Sequence, residues 1–202
     1  KAFPQLYLSG FASLTREQEQ STEATVKEVI RRLRSYQTVD GSFSYWPGGT
    51  APNAWGTVYA IHFLLEAEKK GYLVPEGMKR NALNDLSRIA RNWKPEASYS
   101  AESEEMTQAY RLFVLALGQV AEVGAMNRLK ESKTLMSMSR YLLAAGYALV
   151  GRPDVSKELV VKTTALTTAC SGYDQTFGSD LRDASIRLMT LCLLDGGKEA
   201  AL

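Results

Sequence analysis

The sequence contains little cysteine and almost no histidine, with two cysteines and one histidine among its 202 residues. Two cysteines are too few for a disulfide-stabilised fold. We predict that Cys170 and Cys192 are free thiols, because a helix ending near Cys170 and an antiparallel helix from about Asp180 would hold the sulfurs roughly 18 Å apart. Cys192 lies in an apolar run and is expected to be a small buried residue.

The single histidine, His62, lies in the middle of an apolar helical segment. A second metal ligand on the same helix would lie three or four positions away, and only Glu66 there could serve. We therefore interpret His62 as a core or interface histidine that donates one ring hydrogen bond. The sequence also lacks a Walker loop, a dinucleotide-binding glycine motif, a Gly-x-Ser-x-Gly elbow and His-Glu-x-x-His, so we assign no catalytic, cofactor-binding or metal-binding residue and expect no cofactor.

Long apolar runs and an excess of one charge are also missing. No apolar run approaches the roughly 18 residues of a membrane span, and no signal-peptide pattern opens the chain. Lys and Arg total 24 against 22 Asp and Glu, and a net charge of +2 does not favour nucleic acid as a partner. A hydrophobic content of 45% indicates one globular domain over residues 1–202. Because the chain begins at Lys1 inside a helix-like segment, KAFPQLYLS, we expect an excised domain.

Helical periodicity is present along most of the chain, and the segments alternate in character. TEATVKEVIRRLRSY carries one apolar stripe and predicts an outer helix, whereas 54–65 is apolar nearly all round and predicts an inner one. The other predicted outer segments are PEGMKRNALNDLSRIARNW, AMNRLKES and DVSKELVVKTTALTTA, and the other inner ones are EEMTQAYRLFVLALGQV, TLMSMSRYLLAAGYALVG and SDLRDASIRLMTLCLL. This alternation predicts an all-α fold, an α/α toroid or solenoid of stacked helical hairpins.

An aromatic and glycine-rich stretch, DGSFSYWPGG at 40–49, joins an outer segment to an inner one. The turn signals favour a corner at which Phe43, Tyr45 and Trp46 pack over helix ends. The alternative is an aromatic platform for a sugar or a prenyl chain. With Gln37, the stretch resembles the Gln-x-x-x-Gly-x-aromatic repeats of terpene cyclases, which share the toroid, but the acidic clusters those enzymes need do not occur here.

Acidic residues concentrate before one predicted inner helix, in SAESEEM. Paired carboxylates could serve a glycosidase. We interpret Glu102, Glu104 and Glu105 instead as negative charge at the N-terminus of a helix. Asp154 and Ser179 are predicted N-caps of two later helices.

Several segments in the same order resemble the thioester domain of bacterial α2-macroglobulins, relatives of animal α2-macroglobulin and of thioester-containing complement components. KAFPQLYLS resembles the residues that follow the Cys-x-Glu-Gln thioester motif of that family. DGSFSYWPGG with NAWGTVYAIHFLLEAEKKGYLVP resembles its Asp-Gly-x-Phe-x-x-Trp corner and the next inner helix. RYLLAAGYALVGRPD and FGSDLRDASIRLMTL are similar to the later helices, so the resemblance runs from about Ala2 to Leu194.

The resemblance implies that this chain is an α/α toroid within a larger parent protein. That parent would be a protease inhibitor of the periplasm or cell envelope, anchored by lipid. In that family, cleavage of a bait region exposes the thioester, which acylates the attacking protease. The implied partners are the other domains of the parent and the attacking proteases. Neither Cys170 nor Cys192 begins a Cys-x-Glu-Gln sequence. We therefore expect any thioester of the parent protein to lie upstream of Lys1. No histidine occurs in 99–106, where the resemblance places a transfer histidine, so we expect such a thioester to prefer amines.

Two other functional hypotheses remain open on the residues alone. One is an enzyme on the same toroid, a terpene cyclase or a glycosidase, which would require a deep pocket with converging acids. The other is a purely structural or partner-binding helical domain.

Overall fold

A computed structural model describes residues 2–95, 101–132, 135–163 and 178–195 of the chain. These residues form α-helices and no β-strand, with two isolated bridges, Gln37 to Phe43 and Ser44 to Pro52, which confirms the all-α prediction. The helices are α1 Ala2–Gln5, α2 Leu8–Phe11, α3 Arg16–Leu33, α4 Ala54–Lys69, α5 Glu76–Asn92, α6 Ala101–Leu117, α7 Val123–Lys130, α8 Ser137–Leu149, α9 Pro153–Val161 and α10 Asp180–Leu194. Within the described part of the chain, no helix is long and apolar enough to cross a membrane.

The chain divides into two compact units, Lys1–Asp85 and Leu86–Leu202. The prediction of one domain over residues 1–202 stays a prediction.

In the first unit, an amphipathic outer helix and an apolar inner helix follow each other as the periodicity predicted. Thr15 and Gln18 begin α3 with a capping box, in which each side chain accepts a hydrogen bond from the backbone N–H of the other. Val26 and Ile30 of α3 are buried. Asn53 caps α4, whose buried residues are Thr57, Val58, Ala60, Ile61, Phe63, Leu64, Leu65 and Ala67.

The opening of the chain differs from its prediction. The segment KAFPQLYLS, expected as one helix, contains the four-residue α1 and the start of α2. Between them, Leu6 and Tyr7 donate their backbone N–H groups to carbonyls only three residues back, as in a tight turn. Leu6 and Tyr7 thus form a turn that separates the two short helices.

In the second unit, α8 packs against α6, α9 and α10. All residues of α6 from Glu105 to Ala116 are buried, which confirms this segment as an inner helix. Gly146 marks a close approach between α8 and α6, because a Cβ atom there would lie 3.6 Å from the Cα of Phe113. Larger side chains at this position would separate the two helices.

Two predictions about later helices need correction. Asp154 is not the N-cap of α9, because the helix begins at Pro153 and Asp154 lies in its first turn, paired with Arg152. Proline favours the first helical position, since its missing N–H would have no helical acceptor there. The helix α10 is capped by Ser179 as predicted. However, α10 is not buried all round, since Leu181 is 78% exposed and Leu188 is 64% exposed.

Candidate functional site

The glycine-rich stretch forms a rigid corner before α4. Gly41 has a φ of +109°, and a Cβ atom at this position would lie 2.3 Å from the backbone oxygen of Asn81 on α5. Only glycine fits both this backbone conformation and this approach. Gly48 also has a positive φ, +73°, but a Cβ there would meet no atom within 4 Å. The Asp-Gly turn is therefore pressed against α5, whereas the turn at Gly48 is open.

Buried hydrogen bonds attach the corner to α4 and α5. The hydroxyl of Thr57 accepts a hydrogen bond from the backbone N–H of Phe43 at 2.9 Å and donates to its carbonyl at 3.1 Å. Gln37 donates its amide to the carbonyls of Gly41 and Met78, at 3.0 and 2.9 Å. Ser42 donates to Asp85 at 2.5 Å. The corner is thus a scaffold joint, as we predicted.

The three aromatic rings of the corner do not act alike. Phe43 is buried, but Tyr45 is 64% exposed and Trp46 is 71% exposed. The prediction that all three rings pack over helix ends is therefore wrong for Tyr45 and Trp46. These two rings contact each other edge to face, with centroids 4.9 Å apart, so each covers part of its neighbour instead of the helix ends.

A second cluster, which we call the opening nest, joins the opening segment to one face of α4. It consists of Phe3, Tyr7, Tyr59, His62 and Glu66. The ring of Phe3 lies 5.3 Å from that of Tyr59 and 4.9 Å from that of His62, measured between centroids. Sequence reasoning did not single out this cluster, although Tyr59, His62 and Glu66 lie at the i, i+3 and i+7 positions of one helix face.

The polar end of the opening nest is a phenol–carboxylate hydrogen bond. The hydroxyl of Tyr7 donates to Glu66 at 2.5 Å, and Glu66 also pairs with Lys69 at 2.8 Å. Burial and the neighbouring carboxylate raise the pKa of Tyr7 above its usual range, so the phenol stays protonated. Burial acts to raise the pKa of Glu66, but the hydrogen bonds from Lys69 and Tyr7 prevail and lower it. The bond therefore joins a neutral donor to an ionised acceptor.

His62 lies on the same face of α4 as Tyr59 and Glu66 and contacts Phe3. Burial lowers its pKa from 6.5 to about 4, with a smaller opposing effect of Glu66. The imidazole is therefore neutral at pH 7 and packs against the edge of Phe3. This agrees with its interpretation as a core or interface histidine. No group of three or more potential metal ligands occurs among the residues that the structure describes.

The acidic residues at the start of α6 have different roles. Glu102 and Glu104 lie in its first turn, as the dipole interpretation predicted. Glu105 is buried and accepts a hydrogen bond from the backbone N–H of Met136 at 2.9 Å, which places its charge at the N-terminus of α8. Burial raises the pKa of Glu105, an effect that this hydrogen bond partly offsets. Its assignment to the N-terminus of α6 is therefore wrong.

Of the two cysteines, the structure describes only Cys192. Cys192 is a free thiol on α10, and it is half-buried instead of fully buried. Cys170 lies outside the described residues, so its predicted state stays a prediction. Residues 99–100, the first two of the histidine-free stretch 99–106, also lie outside them, and residues 101–106 belong to α6.

Comparison with known proteins places this geometry among bacterial relatives. No family model matches the chain. The α2-macroglobulin of Escherichia coli K12 is 27% identical over 201 residues, which cover 94% of this chain and 12% of that protein. A crystal structure of native E. coli α2-macroglobulin, from domain MG7 to the C-terminus, matches 98% of this chain and 32% of that one, with a TM-score of 0.78 and 24% identity.

A second solved structure, E. coli α2-macroglobulin activated by porcine elastase, matches 98% of this chain and 18% of that one, with a TM-score of 0.79 and 25% identity. The homologues and structural neighbours are thus bacterial α2-macroglobulins, which confirms the resemblance and, through the shared fold, the α/α-toroid class. The chain spans only 12% of the length of the E. coli relative.

Proposed function

We propose that residues 1–202 are part of the thioester-type domain of a bacterial α2-macroglobulin-like protease trap, and that they act as its scaffold and not by catalytic turnover. The observation that carries this proposal is the agreement along 94% of the sequence and 98% of the structure with E. coli α2-macroglobulin. That relative is described as activated by porcine elastase, which supports a protease as the trigger. In the proposed protein, the partners of this chain are the neighbouring domains and, through them, the attacking protease.

Any thioester in this proposal lies outside residues 1–202, because neither Cys170 nor Cys192 is followed by the Glu-Gln of the motif. The role of the chain would then be to support the bond and keep water away from it. The opening nest suits this role, since Phe3 and Tyr7 fix α1 and α2 on α4. We also propose that such a thioester forms amide adducts with lysine side chains, and finding mainly hydroxylamine-labile ester adducts would contradict this.

The enzyme alternatives have less support. The three glutamates at the start of α6 have structural roles. Glu105 accepts a hydrogen bond from the backbone N–H of Met136, whereas Glu102 and Glu104 lie in the first turn of α6. The exposed pair Tyr45 and Trp46 offers ring surface, but the described corner around it is built from structural hydrogen bonds.

The location that we propose is the periplasmic side of the cell envelope, with the parent protein anchored by lipid. It follows from the family to which the homologues belong and not from any feature of these residues. Fractionation of cells that express the full-length protein would place it with the envelope. Recovery in the cytosolic fraction would contradict the proposed location.

The trapping function can be tested by mixing the full-length protein with elastase and separating the products by size. Because a trap of this kind responds to cleavage, active elastase should elute with the protein, and elastase with a blocked active site should elute alone. If neither form, or both forms equally, elute with the protein, the proposal is wrong.

A further inference from the structure

Residues 8–13, which we call the exposed stretch, lie on the surface of the first unit along their whole length. Each of them is exposed, and α2, which covers the first four, has no buried residue. Phe11 is 87% exposed, although it is a large aromatic residue. Neither the opening nest nor the corner uses a side chain of this stretch, so its role is unassigned.

The exposed stretch is anchored on both sides. Before it, Leu6 is 5% exposed, and the hydroxyl of Tyr7 donates a hydrogen bond to Glu66. After it, Thr15 and Gln18 begin α3 with their capping box. A short segment between two anchored points can open locally while the structure on either side stays folded.

Few interactions hold the backbone of the exposed stretch in its helical turn. The helix α2 is one turn of four residues, too short to be stable by itself in water, and its Gly10 disfavours a helix. No side chain of residues 8–13 makes a hydrogen bond, ion pair or ring contact with the residues that the structure describes. At Ala12 the backbone is already extended, with φ −145° and ψ 144°. Unwinding this turn therefore exposes no core residue.

The sequence of the stretch suits the cleft of an endopeptidase. A serine protease with an apolar specificity pocket takes a large apolar side chain just before the bond that it hydrolyses. Phe11 provides that side chain, and the residues on either side of it, Ser9, Gly10, Ala12 and Ser13, are small and do not obstruct the cleft. Exposed segments of small and polar residues are preferred sites of proteolytic nicking.

An exposed aromatic ring is not sufficient for such a site, as the corner shows. Tyr45 is 64% exposed, but the backbone on both sides of it is hydrogen-bonded. The N–H of Ser44 donates to the carbonyl of Tyr36 at 2.8 Å, and the hydroxyl of Ser44 donates to the carbonyl of Trp46 at 2.6 Å. Drawing this backbone into a protease cleft would break these bonds, so the corner should resist a protease that cuts the exposed stretch.

We propose that residues 8–13 form a proteolytic cleavage site, at which a chymotrypsin-like endopeptidase hydrolyses the bond after Phe11. Water is the second reactant. The C–N bond between Phe11 and Ala12 breaks, the hydroxyl of water joins the carbonyl carbon of Phe11, and the hydrogen goes to the amino group of Ala12. The helices from α3 onward keep their contacts, because the stretch contributes no core residue.

The cleavage site itself does not depend on the proposed function. In the proposed trap, one cut would break the covalent link between the helices from α3 onward and the domains on their N-terminal side. Only this consequence rests on the proposed function.

Limited digestion of the 202-residue chain with chymotrypsin tests the site, with the fragments identified by mass. We expect the fragment 1–11 to appear about tenfold or more faster than a fragment ending at Tyr45. Synthetic peptides of residues 6–16 and 40–50 control for sequence preference, and the difference should disappear between them. A ratio of rates in the folded chain no greater than the ratio in the peptides would overturn the proposal.

The variant Phe11→Ala tests whether the apolar side chain is recognised. It should slow hydrolysis within residues 8–13 about tenfold and leave the stability of the chain unchanged, since Phe11 is exposed. Unchanged hydrolysis in this variant would contradict recognition of Phe11.

The variant Thr57→Val separates local opening from unfolding of the whole unit, since it weakens the corner and leaves the exposed stretch unchanged. If the stretch opens locally, hydrolysis after Phe11 should stay within about twofold of its original rate. If hydrolysis requires the whole unit to unfold, its rate should rise about tenfold or more, and the proposal would be wrong.

The full-length protein should show the same cut, detected as a new N-terminus at Ala12. If the full-length protein resists hydrolysis there while the 202-residue chain does not, the exposed stretch is not a cleavage site of the intact protein.

Discussion

The corner before α4 and the opening segment Ala2–Phe11 both pack on α4, but different forces hold them. The corner is held by hydrogen bonds to backbone groups, from Thr57 and Gln37, and by the close approach of Gly41 to α5. The opening segment is held by the buried side chains of Ala2 and Leu6, by the ring contacts of Phe3 and by one phenol–carboxylate bond. We therefore expect the corner to open only when the whole unit unfolds, and the two short opening helices to separate from α4 while the rest stays folded.

The largest effect is expected at Gly41. Gly41→Ala combines a strained positive φ with a Cβ 2.3 Å from a backbone oxygen, and it should lower the free energy of unfolding by about 4 kcal/mol or more. Gly48→Ala is the matched control, since its Cβ meets no atom within 4 Å, and it should cost about 1 kcal/mol. Urea unfolding of both variants measures the difference. Equal stabilities would show that the corner is not pressed against α5.

A second effect is expected where Thr57 holds the backbone of Phe43. Thr57→Val keeps the shape of the side chain but leaves the buried N–H of Phe43 without its acceptor, which should cost about 2–3 kcal/mol, while the Phe43 carbonyl keeps the N–H of Asn53. Thr57→Ser retains the hydroxyl and should cost about 1 kcal/mol for the lost methyl group. If the two variants are equally stable in urea, the hydroxyl does not hold the corner.

The opening segment should respond more weakly and more locally. Phe3→Ala removes a half-buried ring and should cost about 2 kcal/mol, less than the 3–5 kcal/mol of a core phenylalanine. Hydrogen exchange should quicken within residues 2–11 and stay unchanged at 36–53. Phe11→Ala is the control, because Phe11 is 87% exposed. Faster exchange throughout the first unit would show that the opening segment does not separate on its own.

The smallest effect is a pH dependence of the same segment. The folded pKa of His62, about 4, lies below its ordinary value of 6.5, so the unfolded state binds more protons between these values. The stability that His62 contributes is complete above pH 6.5, is lost as the pH falls toward 4, and changes no further below that. We expect a loss on the order of 1–2 kcal/mol after screening is allowed for.

His62→Gln tests this assignment, because glutamine does not titrate. Between pH 7 and 4, the variant should lose less stability than the original chain, and the difference should appear in the exchange of residues 2–11. An identical pH profile for both chains would assign the dependence to Glu66 or to other carboxylates.

Much of the fold follows from helical periodicity, but burial does not follow from apolar content alone. Both α6 and α10 have apolar sequences, yet α6 is buried from Glu105 to Ala116, while Leu181 and Leu188 of α10 are exposed. A helix is buried on all sides only where other helices pack against every face. The sequence of one helix does not determine which helices pack against it. The scaffold role of the corner was predictable from Asp40-Gly41, because an Asp-Gly pair indicates a turn.

The opening nest was not predictable in the same way. It joins Phe3 and Tyr7 to residues more than 50 positions later, and such contacts depend on where α1 meets α4. Glu105 was misassigned for a related reason, since its hydrogen-bond partner, Met136, belongs to another helix. The rule that acidic residues favour a helix N-terminus predicts where charges lie along one helix. It does not predict which group of another helix a buried side chain contacts.

The most direct test of the account is the residual activity of elastase after it has reacted with the full-length protein. If the protein is a trap that encloses the protease, cleavage of a large protein substrate should fall sharply, while cleavage of a small chromogenic peptide persists, because only the small substrate can diffuse to the active site. Equal inhibition of both substrates, or inhibition of neither, would contradict the account.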